Sequence, residues 1–265
     1  MKRPFLSVVI PAHNEEKHIG LCLAALRLNK GNFEVIVVND GSSDRTQEIA
    51  KKSGIVKKLV NFGQGHSASF ARNAGSKKAS GKYLAFIDAD QIVEKNFVKR
   101  LEKHLKQTNA DGSDFLVLSH EPKTFIQKAW SAYRKAYPTM GFVHIVRASA
   151  FMKLKFDEKI FYHEERDFRN RFDAAGLKYS GPMNALVYHI DPEGMDEFIR
   201  QRKWQGRAAG IPYFMPCIIP PLIIVPSVKV LIKSKDTKNS MKWLVMDMIG
   251  RYISLYHRLT QNKKH

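Results

Sequence analysis

The apolar positions of the first ninety residues switch between two periods. Phe5 to Pro11 is a short apolar run rich in β-formers, as expected of a strand. Glu15 to Leu28 then spaces Ile19, Leu21, Leu23 and Leu26 as a helix does. Phe33 to Asn39 is almost wholly apolar and predicts a second strand, and Asp44 to Ser53 a helix with Asp44 placed to cap it. Val56 to Asn61 is a weaker strand, Ser67 to Lys78 a helix and Tyr83 to Asp88 a fourth strand. Strands alternating with helices at these lengths predict a mostly parallel sheet covered on both faces. In such sheets ligands bind at the carboxyl ends of the strands, so Asp40-Gly41-Ser42 and Asp88-Ala89-Asp90 should face one crevice.

Past Asn96 the pattern is mixed. Lys95 to Lys106 reads as helix, and Asp114 to His120 and His144 to Arg147 as strands. Glu164 to Ala175 is a charged amphipathic helix ended by Gly176, and Asn184 to His189 is another strand. Met195 to Ala209 is a strongly basic helix, after which the composition changes. Ile211 to Ile232 is nearly free of charge but holds Pro212, Pro216, Pro220, Pro221 and Pro226. A spanning helix needs about 20 apolar residues, and each interior proline costs about 3 kcal/mol, so an uninterrupted span is not expected. Met241 to Leu259 is a last amphipathic helix carrying Trp243, Tyr252 and Tyr256, and Asn262 to His265 a frayed tail. The division expected is one α/β domain over 1–209 and an apolar, basic, helical extension over 210–265.

The formal net charge of +19 adds an attraction for polyanions: nucleic acid, anionic lipid or phosphorylated substrates. Cys22 and Cys217 are the only cysteines and form neither a zinc pattern nor a disulfide framework. The N-terminal apolar run is too short for a signal-peptide core, which predicts a cytoplasmic setting.

Two carboxylates at spacing two, in a turn after a strand, can converge on one hard cation. Magnesium or manganese takes oxygen ligands and often bridges a diphosphate. An isolated Asp-x-Asp is more often a solvated turn, so the triplet gains weight only from its neighbours. These are Ser7-Val-Val-Ile-Pro-Ala-His-Asn-Glu-Glu16, Val35-Ile-Val-Val-Asn-Asp-Gly-Ser-Ser-Asp-Arg-Thr46 and Ala71-Arg-Asn-Ala-Gly75. Phe156-Asp157-Glu158, His163-Glu-Glu-Arg-Asp-Phe168, Arg171, Gly176 and Val187-Tyr188-His189 follow. In order and spacing, from about Leu6 to Gly206, the set resembles the family 2 glycosyltransferases of the GT-A fold.

That resemblance implies an inverting enzyme taking a sugar from a nucleotide diphosphate, with Mn2+ or Mg2+. It places Pro11, Ala12 and Glu15 against the base and ribose, Asp40 on the base (commonly uracil), and Arg72 near base and diphosphate. It gives Asp88 the ribose or the metal, Asp90 the main metal contact, and His189 a third metal ligand or a diphosphate contact. Glu165 matches the general base, with Glu164 second; the family's usual Glu-Asp is here Glu-Glu. Read without the family, Glu164 and Glu165 could simply favour a helix N-terminus, and Asp167 could pair with Arg171 at i,i+4.

His163, beside the proposed base, is a candidate acceptor contact, while His66 and His144 carry less signal. Arg202, Lys203 and Trp204 are candidates for the diphosphate or an acceptor. The stretch offers Arg200-x-x-Lys203-Trp204 where processive polysaccharide synthases carry Gln-x-x-Arg-Trp, so processive synthesis is not inferred. The partners expected are a nucleotide-sugar donor, a glycan or lipid-linked acceptor and an anionic membrane surface at its cytoplasmic face; self-association stays open. Two other readings are a polyprenyl-phosphate glycosyltransferase and a non-catalytic binder of nucleic acid or anionic membrane. The nucleic-acid reading lacks an aromatic-basic motif and leaves the acidic strand ends unexplained.

Overall fold

The computed structural model describes residues 3–139, 141–160, 163–200, 238–239 and 241–247. The chain divides into two compact units, 1–117 with 139–190, and 118–138 with 191–265. The boundary expected at 209/210 lies outside the described residues, as do Arg202, Lys203, Trp204 and the proline-rich apolar segment.

In chain order the elements are β1 (Leu6–Ala12), α1 (Ile19–Arg27), β2 (Phe33–Asp40), α2 (Thr46–Lys52), β3 (Val56–Phe62) and α3 (Ala68–Lys78). Then come β4 (Tyr83–Phe86), β5 (Gln91–Val93), α4 (Phe97–Thr108), β6 (Gly112–Ser119) and α5 (Phe125–Ala136). The series ends with β7 (Ile145–Arg147), α6 (Ala148–Leu154), α7 (Glu164–Ala174) and β8 (Tyr179–His189). Among the described residues the strands form one sheet in the order β3-β2-β1-β4-β7-β6-β8-β5. The half from β3 to β4 is parallel, whereas β4–β7, β7–β6 and β8–β5 pair antiparallel. The parallel half is the one whose strand–helix alternation is visible in the sequence.

Both faces of that half are covered. Leu6, Val8 and Ile10 of β1 with Val35 and Val37 of β2 bury against Ile19, Leu23 and Leu26 of α1 and Leu101 and Leu105 of α4. Cys22 shares that face of α1, whereas Leu21, expected on it, points to solvent. On the opposite face Val9, Leu84 and Phe86 pack with Phe151 of α6 and Phe168 and Phe172 of α7. Pro11 fits inside a central strand because Val9 faces β4, and Pro11, two residues on, points past the last β4 pair, Val9 with Phe86.

The second unit has its own small core. Ile126, Ala129 and Ala136 of α5 pack with Phe198, Trp243 and Met246, and Tyr133 stacks on Trp243 at 5.0 Å. Asp191 is buried there, receiving Arg134 at 2.8 Å, the Ser119 hydroxyl and, on its carbonyl, Gln127 Nε2 at 3.1 Å.

Candidate active site

Asp88 and Asp90 occupy the turn between β4 and β5. The turn is closed by Gln91, whose backbone N–H donates to the Asp88 carbonyl at 3.0 Å and whose side chain accepts the Asp88 N–H at 3.1 Å. The Cys22 thiol donates to the same carbonyl at 3.7 Å, so α1 also helps to hold the turn.

Three residues of Ala71-Arg72-Asn73-Ala74-Gly75 in α3 have defined roles. Gly75 lies against the sheet: a Cβ there would sit 2.5 Å from Val9 Cγ1 and 2.9 Å from Val38 Cγ2. Asn73 clamps the segment before α7, donating to the Phe156 carbonyl and Glu158 Oε1, both at 2.9 Å, and accepting the Phe156 N–H at 3.0 Å. Arg72, buried between these anchors, donates from Nη2 to Asp88 Oδ1 and from Nη1 to Glu164 Oε1, both at 3.0 Å. Its Nη1 also lies 3.2 Å from Glu165 Oε1, and its guanidinium covers the Phe156 ring at 5.4 Å. A planar fork can serve several carboxylates at once, which an ammonium cannot do as well.

The electrostatics follow from this packing. Burial disfavours the charge on Arg72, but Asp88, Glu165 and Glu164 reverse that and hold it firmly protonated. Burial would raise the Asp88 carboxyl; the charge and hydrogen bond of Arg72 outweigh it, and the result is a lowered pKa. Glu164 is pushed up to about 7, first by burial and then by Glu165, against the pull of Arg72. Glu164 and Glu165 lie in the first turn of α7, where the helix dipole also favours acidic groups. His163 precedes them with φ 64°, a left-handed conformation costing a non-glycine residue of order 1–3 kcal/mol. Asp167 pairs with Arg171 at 2.7 Å across one helical turn, the i,i+4 contact that its spacing suggests.

His189 reaches the turn through strand register, since it lies opposite Gln91 in the β8–β5 pair. Its Nε2 is 3.3 Å from Asp90 Oδ2. Asp90 Oδ1 is buried and has no hydrogen-bond partner among the described residues. Burial, then Asp88 and Glu15 against the opposing His189, push the Asp90 carboxyl up to about 6. Among the described residues no three His, Cys, Asp or Glu side chains form a ready-made metal cage. The donor set still suits a hard cation that brings its own ligands, because magnesium typically uses one or two carboxylates and completes its shell with phosphate oxygens and water.

Asp40 ends β2 and is buried. Its carboxylate accepts the His66 backbone N–H at 2.9 Å and meets His66 Nδ1 at 2.8 Å, and its carbonyl lies 2.6 Å from His13 Nδ1. The His66 ring stacks on Phe70 at 4.0 Å. Gly41 (φ 72°) lets the next loop approach, since a Cβ there would meet the Gln64 backbone at 2.3 Å. Glu15 bonds His18 at 2.9 Å.

The structure therefore brings Arg72, Asp88, Glu164 and Glu165 into one cluster, with Asp90 and His189 beside it. The sequence reading gave His66 and His144 little weight, yet each is fixed by a buried carboxylate. The sequence signal was the pairing of each histidine with an Asp, but Asp40 and His66 are 26 residues apart and Asp114 and His144 are 30 apart.

A helix-covered parallel sheet continued by antiparallel strands, with acidic side chains gathered at its carboxyl ends, defines an α/β transferase-type architecture. Residues 7–164, more than half of the chain, match the family described as Glycosyl transferase family 2, and the chain belongs to that family. It is 33% identical over 137 residues to the uncharacterized glycosyltransferase EpsJ of Bacillus subtilis, covering 49% of this chain and 40% of EpsJ. It is 28% identical over 201 residues to glycosyltransferase GlyA of Streptococcus pneumoniae, covering 69% of this chain and 28% of GlyA. The chain thus spans less than half the length of these relatives. Among solved structures it resembles S. aureus TarS 1–349, with a TM-score of 0.55 at 18% identity over 94% of this chain and 72% of that one. A TarS structure in complex with UDP-GlcNAc gives 0.54 at 18% identity over 94% of this chain and 73% of that one. At that identity the likeness supports the fold alone: GT-A, a mixed α/β sheet with flanking helices.

Proposed function

We propose that this chain moves a sugar from a nucleoside diphosphate donor, with uridine as the expected base, to a hydroxyl of a glycan or lipid-linked acceptor, with inversion. The observation that carries this reading is Arg72, which joins Asp88 of the β4–β5 turn to Glu164 and Glu165 of α7. Donor-side and base-side carboxylates thereby share one crevice. The family membership and the UDP-GlcNAc named for TarS support it.

In this reading Pro11, Ala12, Glu15 and Asp40 line the nucleoside end, with Asp40 held in place by His66. Asp88, 38% exposed on its side chain, can take a ribose hydroxyl while Arg72 keeps it ionised. Asp90 and His189, with Asp88 alongside, would hold Mn2+ or Mg2+. When bound, such a cation offsets charge on the departing diphosphate. Glu165 takes the proton of the acceptor hydroxyl as that oxygen attacks the anomeric carbon. Glu164, the more buried of the two, has its carboxyl pushed up to about 7 and keeps the pair from carrying two full negative charges. His163 stands on the acceptor side.

In the same reading the acceptor would be met at the cytoplasmic face of an anionic membrane. In the second unit Phe125, Met241 and Val245 are 48%, 47% and 47% exposed, and Lys242 lies over the Phe125 ring at 5.3 Å. An apolar tip with adjacent lysine suits anionic lipid. Among the described residues no helix is long and apolar enough to cross a membrane.

The test is a donor screen reading hydrolysis of UDP- and GDP-sugars with Mn2+. Turnover that chelator abolishes is expected, and silence toward every donor would sink the reading. A polyprenyl-phosphate acceptor, already ionised, would make Glu165→Gln nearly harmless to transfer.

A further inference from the structure

The Asp114–His144 pair has no part in the roles assigned so far. The His144 carbonyl accepts the Phe86 N–H at 2.8 Å, two residues before Asp88, so the residue pairs with the strand that leads into the Asp88–Asp90 turn. Its ring is fixed on several sides. Nδ1 lies 2.6 Å from Asp114 Oδ1, Phe115 stacks on the ring at 4.8 Å, and Phe142 meets its edge at 5.8 Å. Asp114 is fully buried and is itself held by the Phe115 N–H at 2.7 Å and the Thr139 hydroxyl.

A carboxylate on Nδ1 places a proton there and leaves Nε2 as the atom that can meet another group. No hydrogen bond to Nε2 occurs among the described residues, and 17% of the side chain is exposed. The charged groups around the ring are Asp114 of β6, Glu165 of α7 and Asp88 of the β4–β5 turn. Burial lowers the proton affinity of the imidazole, but the charge and hydrogen bond of Asp114, with Glu165 and Asp88, raise it above the usual histidine value. A purely structural core histidine would have both nitrogens satisfied by protein. This one keeps Nε2 without a protein partner among the described residues, in the electrostatic field of Glu165 and Asp88.

We propose that His144 is a substrate-contacting residue whose Nε2 hydrogen-bonds a carbohydrate hydroxyl, on the transferred sugar or on the acceptor. The inference rests on the glycosyl-transfer reading above. A sugar hydroxyl is neutral and can donate or accept, so it suits an imidazole in either protonation state. Asp114 is the positioning residue that fixes the ring.

The test compares His144→Phe, which keeps the stacking on Phe115 and removes the polar atom, with His144→Gln, which keeps a polar atom near the Nε2 position. Affinities are measured for UDP and for UDP-GlcNAc, or for whichever donor the screen returns, together with donor hydrolysis and transfer. UDP affinity is expected to hold in both variants. If Nε2 meets the transferred sugar, His144→Phe weakens the sugar donor about tenfold, the scale of one hydrogen bond. If it meets the acceptor, donor affinity and hydrolysis hold while the acceptor KM rises about tenfold. In either case His144→Gln recovers much of the loss. A folded His144→Phe protein with unchanged donor affinity and transfer overturns the proposal. Should the Phe variant be unstable, a stable Gln variant no better than His144→Ala overturns it too. A wild type that binds no nucleoside diphosphate sugar overturns the glycosyl-transfer reading itself, and this proposal with it.

Discussion

Arg72 Nη2 donates to Asp88 Oδ1 at 3.0 Å, and this contact between a buried guanidinium and a part-exposed carboxylate ties α3 to the turn that carries Asp90. Because Nη1 of the same guanidinium holds Glu164 and Glu165, one side chain sets the spacing of the site.

Replacing Arg72 by Met would leave three carboxylates facing one another without a cation. Loss of one partner from a buried ionic group typically costs about 3–5 kcal/mol, so urea unfolding of Arg72→Met should show a loss of that order. Arg72→Lys should fall between, because an ammonium cannot reproduce the fork. A Met variant as stable as wild type would mean that the cluster contributes nothing to folding.

Glu164 makes a pH-dependent contribution whose sign can be worked out. Its folded pKa of about 7 is raised above the ordinary carboxylate value, so folding favours the protonated form. That stabilisation is complete below the unfolded pKa, about 4.3, and disappears as pH rises through about 7. Glu164→Gln cannot ionise but still offers Arg72 an oxygen. Its melting temperature should therefore gain on wild type as pH rises across that window. Parallel melting curves for the two proteins would contradict the assigned shift.

The parallel half of the fold was legible because β1, β2 and β4 are nearly continuous apolar runs and α1 has one apolar stripe. Gly176 with φ 66° ends α7 as the sequence suggests, and Ser67 caps α3 by accepting the Phe70 N–H at 3.1 Å. The antiparallel half was harder. α5 was overlooked although Thr124 and Gln127 form a capping box, a signal present in Thr-Phe-Ile-Gln. α6 is seven residues with only Ala150 and Phe151 buried, too short for periodicity to register. β8 begins at Tyr179, earlier than expected, because Gly181 and Pro182 disguise its first half.

The site was legible as a set of residue types but not as a network. The bond from Arg72 to Glu164 crosses 92 residues, and strand register that sets His189 against Asp90 is a tertiary outcome. Arg72 was expected near the base and diphosphate; its burial against three carboxylates depends on Gly75 bringing α3 down onto β1 and β2.

Gly75→Ala tests that approach. The new methyl would sit 2.5 Å from Val9 Cγ1, and overpacking of this kind costs about 1–3 kcal/mol. A lower melting temperature and reduced turnover are expected together, since moving α3 moves Arg72. Full activity at unchanged stability would show that the helix needs no such closeness.

Glu165→Gln separates binding from chemistry. UDP affinity should hold while transfer to a hydroxyl acceptor falls by about two to four orders of magnitude, the usual reach of general-base catalysis. Unimpaired transfer would remove Glu165 from the base role.

If the β4–β5 turn is the metal end of a nucleotide-sugar site, UDP affinity depends on Mn2+ through Asp90, and calorimetric titration of UDP with and without Mn2+ reads that dependence. Wild-type protein should bind UDP more tightly with Mn2+, and Asp90→Ala should lose that Mn2+ dependence while remaining folded. No UDP binding by wild type under either condition, or the same Mn2+ dependence in Asp90→Ala, would contradict the account.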